Sequence, residues 1–245
     1  PPIVIKAHSS NAVSVLRRSE ALYAWQRFFI ALACLRVWKR TRAEAECIRR
    51  ADILLAPTSR MMRELEKQFT GLPARRKVVP NPVFAVSKDE DVRTTKPVLL
   101  FVGRLNFGKG IGTLPAILNG VRRDFPDTEL RIIGPDSYAF GIGSTREWLV
   151  RKFGEDISNV RFEGPLYGED LAAAYKSVGI VIVPSSWDNF PQVILEAMVH
   201  GKAVVASPNG GMPEMLSGTG NLIADPSSPG FVDCICRLLS DDELR

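Results

Sequence analysis

The chain has 245 residues, of which 45% are hydrophobic and 24% are charged, and its mean hydropathy is close to zero. These values are typical of a globular protein with one large or two modest domains, and we find no fixed-period repeat and no low-complexity tract. The longest uninterrupted apolar run, Phe28 to Leu35, is far shorter than the ~20 residues that a membrane-spanning helix needs.

The net charge of +5 is unevenly distributed along the chain. Residues 1–60 contain eleven Lys or Arg and four acidic residues, whereas the remainder is slightly acidic. A basic segment of this kind is suited to an anionic partner, either a membrane surface or a nucleic acid.

The four cysteines match neither a disulfide framework nor a zinc-binding spacing; they are Cys34, Cys47, Cys234 and Cys236. The sequence has no signal-peptide pattern, so we expect a cytoplasmic protein with reduced thiols. The chain starts directly before a strand-like segment and stops where a helix begins. We therefore expect a fragment without its native ends.

The first 84 residues alternate between strand-like and helix-like segments, which indicates a parallel sheet. Ile3 to Ile5 predicts a short strand that ends in a loop containing His8. Ile53 to Ala56 predicts a second strand, and Thr58 or Ser59 is suited to cap the helix after it.

A helix is also predicted between these two strands, with an apolar stripe of Leu22, Trp25, Phe29 and Leu32. We favour a helix packed on the core. The alternative is an interfacial helix, whose many arginines and lysines contact anionic lipid on the cytoplasmic face of a membrane.

Residues 85–96 lack a hydrophobic period and predict a linker. After the linker, six strand-like segments are each followed by a helix-like segment: Val98–Val102, Leu130–Ile133, Val160–Phe162, Gly179–Val183, Ala203–Ala206 and Asn221–Ala224. This alternation predicts a doubly wound α/β domain. The predicted organisation is therefore an α/β segment at 1–84, the linker, and a complete doubly wound domain at 97–245.

Three polar loops follow predicted strands, at residues 103–110, 185–191 and 208–214. Because the carboxyl ends of parallel strands share one crevice, we expect these loops to converge. Arg104 and Lys109 in the first loop can bind a phosphate, and Gly108 and Gly110 let the backbone approach it. The other two loops lead into helix N-termini, which favour anions. The pattern indicates a diphosphate ligand.

Glu196 is the only acid in the apolar helix that follows Pro191. A glutamate is rarely buried without a partner, so Glu196 requires a structural ion pair, for which Lys202 is a candidate, or a ligand. Beside a diphosphate site, the ligand group that suits it is a sugar hydroxyl.

These motifs resemble the Leloir glycosyltransferases of the GT-B fold, in particular glycosyltransferase family 4. The resemblance rests on the Arg104 to Lys109 turn, on Asp188 and Glu196 eight positions apart, and on Gly210 to Glu214. It implies two Rossmann-like domains with parallel sheets: a partial N-terminal, acceptor-side domain at 1–84 and, after the linker at 85–96, a C-terminal nucleotide-sugar-binding domain at 97–245. It also implies retaining transfer of a sugar from a nucleotide-diphosphate donor to a glycan, lipid or small molecule, with no metal, no cofactor and no nucleic acid.

The resemblance further implies a role for each motif. Arg104 and Lys109 neutralise the leaving diphosphate, Glu196 holds the ribose, and Asp188 orients the transferred sugar. His8 faces that sugar from the first half. The remaining donor-binding positions that the resemblance implies are Gly103, Gly108, Gly134, Arg161, Phe162, Asn189, Phe190, Gly210, Gly211 and Glu214.

The chain departs from the family pattern at two positions. Asp188 stands where glutamate is commoner, and Pro191 replaces a glycine and cannot donate its backbone N–H. A non-catalytic nucleotide-sugar-binding module, including a fragment without turnover, is therefore the first alternative. A phosphate-loop nucleotide-binding protein ranks lower, because Gly110 replaces the hydroxyl that binds magnesium. A dinucleotide-dependent oxidoreductase ranks lower still, because the glycine fingerprint lacks its third glycine.

Overall fold

The computed structural model describes residues 4–6, 42–83, 97–241 and 243. The chain divides into two compact units, Pro1–Pro82 and Val83–Arg245. His8, the predicted first helix and the predicted linker at 85–96 lie outside the described residues, so those predictions remain predictions. No helix in the described part of the chain is long and apolar enough to cross a membrane.

The first unit contains a three-stranded parallel sheet in the order β1-β2-β3, formed by Val4–Lys6, Ile53–Ala56 and Arg75–Val78. Among its described residues, the helices are α1 at residues 42–49 and α2 at Ser59–Gln68. The predicted cap of α2 is confirmed, because Thr58 accepts a hydrogen bond from the backbone N–H of Met61 at 3.1 Å. Strand β3 was not predicted, since its four residues are all exposed and three of them are basic.

The second unit contains eight strands and six α-helices among its described residues. The strands are β4 (Val98–Val102), β5 (Glu129–Ile133), β6 (Tyr138–Ala139), β7 (Gly143–Ser144), β8 (Val160–Gly164), β9 (Ile180–Val183), β10 (Ala203–Ala206) and β11 (Leu222–Ile223). The helices are α3 (Leu114–Arg122), α4 (Thr145–Phe153), α5 (Gly168–Lys176), α6 (Gln192–Val199), α7 (Met212–Leu216) and α8 (Pro229–Ser240). The six predicted strands of this half are confirmed, with end positions that differ by at most two residues.

Six of these strands form one parallel sheet in the order β11-β10-β9-β4-β5-β8. This is the doubly wound strand order, in which the chain starts at β4, proceeds to one edge and then continues from β9 to the other edge. The order in which the chain adds strands therefore reverses between β4 and β9, and this position is the switch point of the sheet. Ligands of such sheets bind outside the carboxyl ends of the strands at this switch point.

Both faces of the sheet are covered, and the alternation of side chains along β4 shows how. Leu99 and Phe101 point into a cluster with the apolar faces of α3, α4 and α8. Val98 and Leu100 point into a second cluster with residues of α5, α6 and α7. Burial on both faces explains why β4, β9 and β10 are continuous apolar runs. The helices cover the two faces of the sheet, and loops lie at its carboxyl edge.

Candidate functional site

The loops after β4 and β9 lie on either side of the switch point and pack backbone against backbone. The backbone N–H and the hydroxyl of Ser186 both donate to the carbonyl oxygen of Gly108, at 3.0 and 3.1 Å. Gly110 has a φ of +79°, and a Cβ at this position would lie 1.9 Å from the carbonyl oxygen of Pro184. The first two predicted loops therefore converge, and Gly110 is required by the close approach of the two chains.

The loop after β10 packs in the same way against the loop after β9. The N–H of Gly211 donates to the carbonyl oxygen of Asp188 at 2.8 Å. Gly210 has a φ of +65°, and a Cβ there would lie 1.8 Å from the same oxygen. The buried hydroxyl of Ser207 donates to the carbonyl oxygen of Ser185 at 2.5 Å. All three predicted loops thus meet at one edge, and the two glycines hold the backbone of Asp188.

Gly103 and Gly134 join the loops after β4 and β5. The N–H of Gly103 donates to Ile133 at 2.9 Å, and that of Leu105 donates to Pro135 at 3.0 Å. A Cβ on Gly134 would lie 2.0 Å from the carbonyl oxygen of Gly103. Gly134 is therefore required by the close approach of the two loops, and Gly103 supplies the backbone groups that it meets.

Lys109 and Asp188 bridge the switch point. The Nζ of Lys109 lies 2.5 Å from Oδ2 of Asp188, and both side chains are partly buried. Asn106 holds the backbone of Lys109 by accepting its N–H at 3.0 Å. The second carboxylate oxygen of Asp188 accepts from the N–H of Phe190 at 3.3 Å. Two residues assigned to different parts of a donor molecule are therefore paired with each other.

Arg104 differs from Lys109 in its surroundings. Its side chain is exposed at the carboxyl end of β4. Among the described residues, none forms a hydrogen bond or an ion pair with its guanidinium group. The guanidinium group is thus not engaged by any described residue, and its fork of N–H groups matches the geometry of a phosphate.

Glu196 lies half-buried on α6, where its Oε2 accepts a hydrogen bond from the hydroxyl of Tyr175 at 2.7 Å. Tyr175 is 1% exposed, and the ring of His200 stacks on it at a centroid distance of 5.3 Å. Burial and the nearby carboxylate raise the pKa of Tyr175, so the phenol keeps its proton. Burial, Lys176 and Lys202 lower the pKa of His200, which favours the neutral imidazole.

Tyr175 lies outside the motifs that predicted the site. A tyrosine on the apolar face of a helix is a usable signal, since a buried phenol requires a polar partner. The identity of that partner depends on the packing of α5 against α6.

Two of the predicted donor-binding residues lie away from the three loops that converge at the switch point. Arg161, on edge strand β8, places its guanidinium 3.1 Å from the carboxylate of Glu129 at the amino end of β5. Phe162 packs edge-on against Phe153, with Arg146 over its ring. Both side chains have structural contacts that do not involve the switch point.

The remaining predicted residues lie at the carboxyl edge of the sheet. Asn189 is buried, and its amide oxygen accepts from the indole N–H of Trp187 at 2.8 Å. Glu214 is exposed in α7, the helix that begins directly after the glycine pair of the third loop. No cluster of three or more His, Cys, Asp or Glu suited to a metal ion occurs among the described residues.

A parallel sheet with a basic loop and an acidic residue at its switch point defines the class, a doubly wound α/β protein with its candidate site at the carboxyl ends of the strands. The model of the family described as Glycosyl transferases group 1 matches residues 96–241. The chain belongs to this family, as the motifs at Arg104, Asp188 and Glu196 predicted.

Curated relatives agree with this assignment. The chain is 31% identical over 224 residues to a D-inositol 3-phosphate glycosyltransferase of Corynebacterium efficiens, with 84% of this chain and 52% of that protein covered. It is 28% identical over 208 residues to a glycogen synthase of Mycobacterium tuberculosis, with 81% and 48% covered. The chain spans about half the length of these relatives.

Solved structures confirm the fold. Sucrose-phosphate synthase from Thermosynechococcus elongatus matches with a TM-score of 0.76 at 22% identity, over 98% of this chain and 59% of that one. Anabaena HepE, determined in complex with UDP-glucose, matches with a TM-score of 0.72 at 18% identity, over 99% and 64%. The predicted α/β fold of the GT-B type is confirmed.

Proposed function

We propose that this chain carries the donor-binding part of a retaining glycosyltransferase that takes a sugar from a nucleotide-diphosphate donor. One observation carries the proposal: the basic loop of Arg104 and Lys109 faces the acidic residue Asp188 across the switch point. A diphosphate sugar has an anionic part and a hydroxyl-rich part, and this edge of the sheet offers a group suited to each.

The anionic part is assigned to the loop after β4. Arg104 binds the diphosphate through its N–H groups, and Lys109 adds a point charge. When the bond between the anomeric carbon and the phosphate oxygen breaks, negative charge develops on the leaving diphosphate. Fixed positive groups in a closed site stabilise that charge. We propose that these two residues do so without a metal ion or a cofactor.

The hydroxyl-rich parts are assigned to the two acidic residues. Glu196 accepts a hydrogen bond from the ribose, and Asp188 accepts from the transferred sugar. The backbone of Asp188 is held by Gly210 and Gly211, which supports a positioning role for this carboxylate. The complex of HepE with UDP-glucose supports a nucleotide sugar as the ligand here.

A thermal-shift panel of UDP, GDP and ADP and of the three corresponding triphosphates, each in EDTA and in magnesium, tests this proposal. We expect at least one diphosphate to raise the melting temperature in EDTA, because a ligand of the native state stabilises it. Stabilisation that appears only with magnesium and a nucleoside triphosphate would support the phosphate-loop alternative instead. Arg104→Ala is the matched variant, and it should reduce the shift at the same ligand concentration.

A non-catalytic binding module is the second candidate, and Pro191 favours it. Pro191 occupies the N-cap of α6, where it offers neither a side-chain cap nor a backbone N–H to a ligand. Donor hydrolysis measured with radiolabelled UDP-glucose, GDP-mannose and ADP-glucose separates the two candidates. Nucleotide binding without any release of sugar would indicate the binding module.

We also propose a cytoplasmic location, since nucleotide sugars are charged and the loops that bind them here are polar. The acceptor is proposed to be a glycan, lipid or small molecule, and not a nucleic acid. Contact of the chain with a membrane surface remains the alternative use of the basic first 60 residues. Flotation with anionic vesicles at low salt tests this alternative, and failure to float would remove it.

A further inference from the structure

Tyr175 occupies a position where packing alone does not require a tyrosine. It lies in the last turn of α5, 1% exposed, and its hydroxyl donates to Oε2 of Glu196 at 2.7 Å. A phenylalanine would fill the same space without bringing a polar atom into the apolar cluster between the sheet and helices α5 to α7. Because a buried phenol is retained only where it has a partner, the hydroxyl points to a role at Glu196.

The ring of Tyr175 is held rigidly. Tyr175 belongs to the buried apolar cluster that includes Val181 and Ile194. The ring of His200 stacks almost parallel to the tyrosine ring, with 12° between the planes. A donor fixed in this way fixes the direction of the carboxylate that it contacts. The raised pKa of Tyr175 keeps the proton on the phenol, so the group remains a donor.

This contact leaves the other oxygen of Glu196 available. Within the part of the chain that the structure describes, no hydrogen bond engages Oε1. An ionised carboxylate only accepts hydrogen bonds, and the ribose hydroxyls of a nucleotide donate them. The carboxylate therefore has one oxygen held by the protein and one oriented for a ligand.

We propose that Tyr175 is a positioning residue that orients Glu196 toward a ribose hydroxyl, and that it thereby sets the preference for ribonucleotides over deoxyribonucleotides. This inference rests on the proposed function, in which Glu196 binds the ribose. Tyr175 does not itself touch the nucleotide; it acts through the carboxylate.

Isothermal titration calorimetry of wild type and Tyr175→Phe tests the inference. The ligands are UDP, GDP and ADP, each compared with its 2′-deoxy and 3′-deoxy counterparts in EDTA. We expect the wild type to bind the ribonucleotide about tenfold more tightly than one deoxy counterpart, as for a hydrogen bond to a charged group. Tyr175→Phe should lose most of this preference by weakening the ribonucleotide alone, with the deoxynucleotide affinity unchanged.

Tyr167→Phe is the matched control, because Tyr167 precedes the same helix and is 73% exposed. It should bind like the wild type. A second variant, Glu196→Gln, completes a double-mutant cycle in which Tyr175→Phe should have no further effect on the ribose preference. Loss of stability alone would weaken ribonucleotides and deoxynucleotides equally, so the ratio of the two affinities separates positioning from a structural role.

The outcomes separate this inference from the function on which it rests. If the wild type binds none of the three diphosphates, the proposed function fails. If it binds one of them but Tyr175→Phe retains the ribose preference, or weakens both forms equally, only the role of Tyr175 is overturned. A wild type without any ribose preference overturns it as well.

Discussion

Lys109 and Asp188, 79 positions apart in the chain, form an ion pair of 2.5 Å across the switch point of the sheet. Each belongs to a loop that follows a central strand, and each was assigned to a different part of the donor. In the proposed function, a bound diphosphate and sugar would therefore compete with this ion pair for Lys109 and Asp188.

We expect Asp188→Asn to strengthen the binding of a nucleoside diphosphate up to about fivefold, because both side chains are partly solvated and such pairs contribute at most about 1 kcal/mol. The variant releases Lys109 and removes a negative charge close to the phosphates. Its amide oxygen can still accept from Phe190. Calorimetry measures the affinity, and Lys109→Ala, which should weaken binding, is the paired variant. Weaker binding in Asp188→Asn would contradict this account of the pair.

Arg104→Ala should weaken the binding of a nucleoside diphosphate by about 1 to 3 kcal/mol, the range for charge-assisted hydrogen bonds. Its stability should not change, because the side chain is exposed and has no hydrogen bond or ion pair among the described residues. Calorimetry and urea unfolding measure the two effects. Arg151→Ala, at an exposed position of α4, is the control for a lost surface charge. Equal effects of the two variants would place the phosphate site elsewhere.

Gly210→Ala should lower the free energy of unfolding by more than the ~1 to 2 kcal/mol that a left-handed backbone costs an alanine, since the new Cβ would meet the carbonyl oxygen of Asp188. Gly218→Ala is the matched control, because Gly218 has a similar φ of +75° and a Cβ added there would have no atom within 4 Å. The difference between the two variants in urea unfolding isolates the contact with Asp188. Equal destabilisation would show that this contact has no cost.

His200 should make stability depend on pH below neutrality. Its folded pKa lies below the ordinary value of about 6.5, so the unfolded chain binds more protons between these two values. The free energy of unfolding should therefore decrease as the pH falls from about 6.5 through the folded pKa. Above pH 6.5 the contribution of neutral His200 to stability should be fully present.

The test of this dependence compares the melting temperatures of wild type and His200→Gln between pH 5 and 8 at constant ionic strength. The variant should have a shallower slope in the window below about pH 6.5. The groups that face His200 include Lys176, Lys202 and Glu196, and the two lysines stay charged throughout this range. An unchanged slope would assign the pH dependence to other groups.

Much of the second unit could be predicted from local patterns. Strands β4 and β10 were predicted at their observed bounds, because a strand buried on both faces is a short continuous apolar run. Loops at the ends of such strands must share one edge of the sheet, which predicted that Arg104, Lys109 and Asp188 would come together. Short elements without an apolar pattern escaped prediction, such as β3 and the hairpin of β6 and β7.

Sequence by itself determined the fold class and the edge of the sheet at which the candidate site lies, since both follow from hydrophobic periodicity, and the resemblance of its loop motifs to known enzymes indicated the family. Tertiary structure alone decided the partners: Asp188 for Lys109, Tyr175 for Glu196, and Glu129 for Arg161. An ion pair or a hydrogen bond forms only between atoms about 3 Å apart, and which side chains come that close depends on how the loops and helices pack.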